Sequence, residues 1–337
     1  TRVSRNPESG FNYVLGMGLK TLTQECFDHY RKRYEEDDRL RAETKLEEIV
    51  VKTRKARSYS EFKLSPDGRY AAWVSNELGQ YKVWLYDRAE KKAKRLLKGE
   101  KRLNRIIDKS FPILAWHPSG KALTWTSERK GELFLTTYTL DDKVFTRKPI
   151  FMLEKILSMA YSEDGQNMIF SGVREGRTDL YLYYTIGNRQ EQLTDDQYDD
   201  MDPAFVDGGR AILFSSDRTD DTLRANAEVV WTDQRRDIFR YDLATRSNVL
   251  ARMTNSPNDD ETEPMAWDSA NYAFLSTAGR VSDRWLLHFD STITAIDTTV
   301  HYRYFTTEAR ATNGKRGIEE HDVVAKRGWL SQLIYVN

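Results

Sequence analysis

The stretch "FKLSPDGRYAAWVSN", from Phe62 to Asn76, joins an apolar-x-apolar lead to a Ser-Pro-Asp-Gly turn and a second apolar run. The same grammar returns in "LAWHPSGKALTWTSE" from Leu114, "MAYSEDGQNMIFSGV" from Met159, "PAFVDGGRAILFSSD" from Pro203 and "MAWDSANYAFLSTAG" from Met265. The turn glycines Gly68, Gly120, Gly165 and Gly209 are spaced by 52, 45 and 44 residues, and Ala270 holds the same place 61 further on. A weaker sixth copy begins at "DVVAKRGWLSQLIYVN". Internal repetition at this period restricts the chain to a small set of repeat architectures.

Each copy carries a third strand-like segment, "YKVWLYDRA", "GELFLTTYTLDD", "TDLYLYYTIGN", "RDIFRYDLAT" and "DRWLLHFDST", and several carry a fourth, such as "AKRLLK", "RQEQLTD" and "NVLARMT". Four short strands per repeat of this length mark a propeller blade. The turns have a mechanism: proline presets φ, and Asp-Gly supplies the positive φ of a tight hairpin. The 8 Trp, 18 Tyr and 14 Phe, with a mean hydropathy of −0.70, suit half-buried strands joined by polar turns. An ordinary antiparallel sandwich would explain one such turn, but not five in register. The expected fold is therefore an all-β propeller of four-stranded blades, five recognisable and a sixth partial, over residues 59–337. On it, Trp73, Trp125, Phe170, Phe214 and Phe274 should hold equivalent buried positions on second strands. The partial last copy implies a propeller incomplete at the C-terminus, and a start without Met implies a piece of a longer protein.

Residues 1–58 read as a helical segment. "TLTQ" suggests a capping box, with Thr21 as N-cap and Gln24 reaching back. Leu22, Phe27, Tyr30 and Tyr34 fall near one helix face, and Cys26 sits there as a small core residue. "DDRLRAETKLEEIV" suggests a second, charge-dense helix with a stripe of Leu40, Leu46 and Val50. "GMGLKT" lacks the Gly-Lys-Ser/Thr ending of a phosphate loop and the third glycine of a dinucleotide turn, so it reads as a helix-entry turn.

No catalytic constellation is visible. His29, His117, His288, His301 and His321 form no HExxH pair, and His117 occupies a repeat turn position. No Gly-x-Ser-x-Gly elbow is present. Lys plus Arg equals Asp plus Glu at 52 each, which gives no electrostatic case for nucleic acid. No apolar run is long enough for a transmembrane helix. The expected cofactor list is empty except for Ca²⁺.

Two acidic loops occupy the same place between successive copies. "TDDQYDDMDP" carries Asp195, Asp196, Asp199, Asp200 and Asp202; "NSPNDDETEP" carries Asp259, Asp260, Glu261 and Glu263. On one rim of a propeller, Asp199, Asp200, Asp202, Asp259 and Asp260 are calcium candidates. Asp195, Asp196, Asp199, Asp200, Asp259, Asp260 and Glu261 are candidates for gripping a basic partner. The insertion from Asp217 to Asp237 adds an apolar run whose Val229, Val230 and Trp231 could pack on their own blade or on a partner. "STITAIDTTVHYRYFTTEA" lengthens the fifth copy into a long hairpin.

"LSPDGRYAAWVS", with "QLT" or "RMT" closing a blade before an acidic loop, resembles the TolB-type propeller repeat, from about Tyr59 onward. The third and sixth copies lack the proline before the turn, and the fifth lacks the glycine. "FSSDRTDDTLR", "HFDSTITAIDTTVHYRYFT" and "DVVAKRG" further resemble large TolB-like envelope proteins of the Bacteroidota, in which the propeller follows a gluzincin-like peptidase domain. The resemblance implies a periplasmic or outer-membrane-associated protein, a non-catalytic scaffold for envelope protein partners, in a complex that could be membrane-associated. The alternative it implies is an accessory, substrate-orienting propeller of a metallopeptidase whose catalytic domain lies outside this chain. A carbohydrate-binding propeller is the weakest reading, because core packing accounts for most of the aromatics.

Overall fold

The computed structural model describes residues 7–42, 46–49, 57–99, 110–224, 235–279, 281–296 and 300–334, with backbone alone at 296 and 300–302. The chain divides into two compact units, residues 1–49 with 313–315 and residues 50–312 with 316–337. The insertion's Val229, Val230 and Trp231 lie outside the described residues.

The first unit contains α1 (Pro7–Leu15) and α2 (Leu19–Arg39). Gly16, at φ +68°, closes α1 with its N–H on the Asn12 carbonyl, so "GMGLKT" is a helix-entry turn. The capping box does not form. Helix α2 starts at Leu19 with Gly18 as N-cap, which places Thr21 inside the first turn. Gln24 bonds forward to the Asp28 carboxylate at 3.1 Å, and the Thr23 hydroxyl donates to the Leu19 carbonyl at 2.7 Å. The second predicted helix is also absent from the described residues, because α2 runs through "DD", ends at Arg39, and residues 46–49 are irregular. A charge-dense segment with a narrow apolar stripe has little to bury, and burial is what holds most helices. Neither helix has a buried residue, so Cys26, Phe27, Tyr30 and Tyr34 are exposed rather than core. Among the described residues no helix is long and apolar enough to cross a membrane.

The second unit is a ring of antiparallel sheets, each joined in chain order. Blade 1 is Arg57–Leu64, Tyr70–Glu77, Gln80–Asp87 and Lys92–Lys98. Blade 2 is Leu114–Trp116, Ala122–Arg129, Glu132–Thr139 and Phe145–Ile150. Blade 3 is Lys155–Tyr161, Asn167–Arg174, Arg177–Tyr184 and Arg189–Gln192. Blade 4 is Asp200–Val206, Ala211–Ser216, Asp237–Asp242 and Ala251–Arg252, with the insertion between its second and third strands. Blade 5 is Glu261–Ala266, Asn271–Ser276 and the long hairpin Asp283–Ile296 with Val300–Arg310. A sixth sheet pairs Ile318–Val324 with Trp329–Ile334. Each blade's first strand touches the next blade's first strand, and that of blade 6 touches that of blade 1, which closes the ring.

The recurrent turn works alike in three blades. In blade 1 the Gly68 N–H reaches the Ser65 carbonyl at 2.7 Å, and the Ser65 hydroxyl accepts the Tyr70 N–H at 2.8 Å. Ser162 repeats both bonds with Gly165 and Asn167. His117 holds the place in blade 2, and its Nδ1 lies 2.8 Å from the Ser119 hydroxyl. Gly165 is needed twice over: its φ is +71°, and a Cβ there would lie 2.3 Å from His117 Nε2.

Trp73, Trp125, Phe170, Phe214 and Phe274 all lie on second strands, none more than 3% exposed. The last four bridge blades in apolar clusters, such as Phe170 with Phe111, Ile113 and Leu135, and Phe274 with Leu213 and Met253, while Trp73 stacks on Trp84 of its own blade. We expect Phe170→Ala or Phe214→Ala to cost about 3–5 kcal/mol in urea unfolding; under about 1 kcal/mol would show that these positions do not hold blades together.

Candidate interaction site

The first strand of a blade faces the channel, and in blades 1, 4 and 5 it carries a bulge at the same register, between Ser60 and Lys63, Met201 and Ala204, and Thr262 and Met265. The first bulged residue is acidic each time, and Glu61, Asp202 and Glu263 all take left-handed φ, at 57°, 53° and 51°. Blade pairing places Ser158 of blade 3, Ile113 of blade 2 and Glu320 of blade 6 at the same position. A bulge leaves backbone N–H groups without a ladder partner.

Those N–H groups, and two more from the first strands of blades 2 and 6, are met by the preceding blade. Glu320 accepts the Phe62 N–H at 3.3 Å, and Glu61 accepts the Leu114 N–H at 2.8 Å. Ser158 accepts the Asp202 N–H at 3.1 Å, Asp202 accepts the Glu263 N–H at 3.4 Å, and Glu263 accepts the His321 N–H at 2.9 Å. The short acceptors reach the bulged residue itself, and the glutamates reach one residue further. The result is a head-to-tail girdle around the channel, interrupted at Ile113, between blades 2 and 3.

The girdle concentrates charge. Asp322 joins Glu61, Asp202, Glu263 and Glu320 in a mutually interacting set, and Lys63 is the cation among them. Burial pushes the Glu61 and Asp322 carboxyls up, with Lys63 opposing. Burial and then Asp202 push Glu263 well above its ordinary value, and burial with Glu61 pushes Glu320 up to about 7. Lys63 is held above its ordinary value, because Glu61, Asp322, Glu263 and Glu320 outweigh its burial.

Beside this set, the buried Arg284 donates through Nε to His321 Nδ1 at 3.0 Å and through its terminal nitrogen to Gln332 at 2.9 Å. Because Nδ1 accepts there, His321 Nε2 carries the proton and donates to the Glu263 carbonyl at 2.7 Å. Burial pushes His321 down to about 3, and burial pushes Arg284 down to about 10.

The acidic loops differ from a solvated, cation-seeking rim. Asp196 and Asp200 are buried on Arg218, at 3.2 and 2.6 Å, and its guanidinium lies over Tyr198, Phe214 and Phe239. Glu261 is buried too, and burial pushes it up to about 7. Asp195 is exposed but paired with Arg177 at 2.8 Å, and Asp260 with Arg235 at 3.1 Å. The backbone N–H of exposed Asp199 donates to Asp217, and Asp259 is half-buried with its N–H on the Ser256 carbonyl. Asp202 turns into the channel. The five calcium candidates are therefore not gathered: among the described residues the carboxylates close enough to share an ion are Asp179, Asp196 and Asp200. The arginines that neutralise these loops come from other strands and turns, out of reach of a reading by loop composition.

The girdle residues were within reach of the sequence. Glu61, Asp202, Glu263, Ser158 and Ile113 each stand seven residues before their turn marker, Gly68, Gly209, Ala270, Gly165 and Gly120.

The closing threonines also find a cause. Thr194, Thr254 and Thr312 accept the N–H of Leu180, Ile238 and Arg284 at 2.9, 2.8 and 2.9 Å, each one residue after a third-strand aspartate, Asp179, Asp237 or Asp283.

No protein-family profile matches the sequence. A solved TolB structure from Agrobacterium tumefaciens superposes with a TM-score of 0.54 at 15% identity, over 83% of this chain and 91% of that one. The propeller is TolB-like. In sequence, the TolB-like chain is 35% identical over 92 residues to the Tol-Pal system protein TolB of Anaeromyxobacter dehalogenans, 27% of this chain and 20% of that protein. It is also 26% identical over 179 residues to the uncharacterized peptidase YuxL of Bacillus subtilis, 53% of this chain and 25% of that protein. The matched region thus spans a quarter or less of either relative.

Two outcomes follow. Glu61→Gln keeps an acceptor for the Leu114 N–H and should leave thermal stability nearly intact. Glu61→Ala orphans that N–H and should cost about 1–3 kcal/mol by chemical denaturation; equal stability of the two variants would remove the girdle's structural role. The second outcome concerns pH. Glu320 and Glu261 sit near 7 when folded against an ordinary 4.5, so their stabilising protonation is complete below 4.5 and lost as pH rises through 7. His321, held down to about 3 from 6.5, withdraws stability only below 6.5. The melting temperature should therefore rise as pH falls from 8 to 6.5, and less so in Glu320→Gln; a flat profile over that range would contradict the assignment.

Proposed function

We propose that this chain is a non-catalytic interaction scaffold of the bacterial cell envelope, periplasmic or at the outer membrane, that holds a cationic segment of a protein partner at its channel. One observation carries the reading: the five carboxylates Glu61, Asp202, Glu263, Glu320 and Asp322 converge on the channel, and among the described residues the cations acting on them are Lys63 and, at Glu263, Arg284. The girdle accounts for one oxygen on each of Glu61, Asp202, Glu263 and Glu320. Their excess negative charge favours an ammonium or guanidinium guest, which would relieve the repulsion that burial intensifies. The Tol-Pal name of the Anaeromyxobacter relative supports an envelope setting for such a partner.

A second reading, an accessory propeller of a peptidase, draws on the match to YuxL over 53% of this chain. Reading the parent gene for a His-Glu-x-x-His motif with a downstream glutamate separates a metallopeptidase parent from a scaffold.

The test of the first reading is calorimetric titration of a lysine- and arginine-rich peptide against an acidic control. We expect binding of the basic peptide alone, weakening steeply with salt and falling roughly tenfold or more in the double variant Glu320→Gln/Asp322→Asn. Binding indifferent to salt and to both substitutions would overturn it, as would peptide hydrolysis by this chain itself.

A further inference from the structure

Blades 3, 4 and 5 share one device away from the channel. An aspartate stands at one register position of each third strand: Asp179 opposite Gly172, Asp237 opposite Ser216 and Asp283 opposite Ser276. Two residues on, the strand pairs with a fourth-strand residue: Tyr181 with Gln192, Phe239 with Arg252, and Trp285 with Arg310. In blades 4 and 5 that fourth-strand arginine is the ion partner of the aspartate, Arg252 on Asp237 and Arg310 on Asp283. In blade 3 the arginine is replaced by glutamine. Gln192 reaches Asp179 with a neutral amide at 3.2 Å, and the other donors to Asp179, Thr194 and the Asp196 N–H, stand at 3.4 Å. One of three equivalent carboxylates has lost its cation.

It has lost it beside two more buried carboxylates. Asp179, Asp196 and Asp200 are at most 2% exposed, and each offers an oxygen within 4.8 Å of the others. Two ligands of one calcium ion, each 2.3–2.6 Å from it, can stand no more than about 5 Å apart, so the spacing fits a single ion. Arg218 takes Oδ2 of Asp196 and Oδ1 of Asp200. Oδ2 of Asp200 is left buried with no hydrogen-bond partner, which no structural role of Arg218 explains. Three carboxylates against one guanidinium leave two negative charges, the charge of one divalent ion, and an all-oxygen donor set suits a hard cation.

We propose that Asp179, Asp196 and Asp200 form a Ca²⁺ seat between blades 3 and 4, in which the ion takes the place of the arginine that blades 4 and 5 supply from their own fourth strands. The ion would bond Asp179 and the free Oδ2 of Asp200 and complete its shell with water, with Arg218 on the far side of Asp200. Calcium suits it better than magnesium because it accepts irregular coordination, whereas Mg²⁺ requires a near-octahedral shell.

The experiment is calorimetric titration of the chelator-treated chain with CaCl₂, paired with thermal unfolding in CaCl₂ and in chelator. We expect one site, a higher melting temperature with calcium, and affinity at least tenfold lower in Asp179→Asn. Gln192→Arg restores the cation of the sister blades, so it should abolish calcium binding while raising the melting temperature in chelator; that rise shows the variant is folded. Absence of calcium binding in the unaltered chain would overturn the proposal. So would binding that survives Gln192→Arg, or binding lost only in Glu320→Gln/Asp322→Asn, which would move the ion to the channel.

Discussion

Closure of this ring depends on one kind of bond, a side-chain oxygen of one blade taking a first-strand backbone N–H of the next, most often at a bulge. A sheet can satisfy its own ladder, but a bulge cannot, and a buried N–H without an acceptor costs about as much as the bond it lacks. The bulges of Glu61, Asp202 and Glu263 create the need, and carboxylates or a hydroxyl on the neighbouring first strand meet it; Glu61 and Glu263 in turn take the N–H of Leu114 and His321. Because each acceptor sits at one register position and each donor at that position or the next, the arrangement propagates from blade to blade everywhere except at Ile113. The apolar clusters between blades supply most of the burial, and the girdle fixes the register in which they meet.

That division of labour explains why structure and charge coincide at the channel. The residues best able to accept a backbone N–H at a bulge are acidic, so a ring closed this way accumulates negative charge along its axis whether or not anything binds there. Lys63 offsets part of it, and raised carboxyl affinities for protons register the rest. The acidic channel is thus first a by-product of closure and then a resource.

Much of the architecture was legible in the chain because a turn needing positive φ leaves glycine, and a blade seam leaves a large aromatic, at a fixed distance. Gly68 with Trp73 and Gly165 with Phe170 repeat that pair five residues apart. The site was less legible. Reading carboxylates by loop made Asp196, Asp200 and Glu261 candidates for gripping a basic partner on a rim, whereas Arg218, between the second and third strands of blade 4, draws Asp196 and Asp200 inward. Asp202 and Glu263 looked like loop charges, because a bulge shifts facing by one residue and hides the alternation that marks a channel side. The N-terminal errors share a cause: propensity and capping patterns were weighed without knowing how little α1 and α2 bury.

Ile113 breaks the girdle between blades 2 and 3, and there the largest of the described apolar clusters runs from Phe111, Ile113 and Leu135 to Ile156, Met159 and Phe170. The two kinds of joint respond differently to temperature. Apolar burial carries a large heat-capacity change and weakens on cooling, while hydrogen bonds to buried amides do not fade in that way. Every seam with an apolar cluster loosens on cooling, but the one at Ile113 has no girdle bond to fall back on and should open first in the cold.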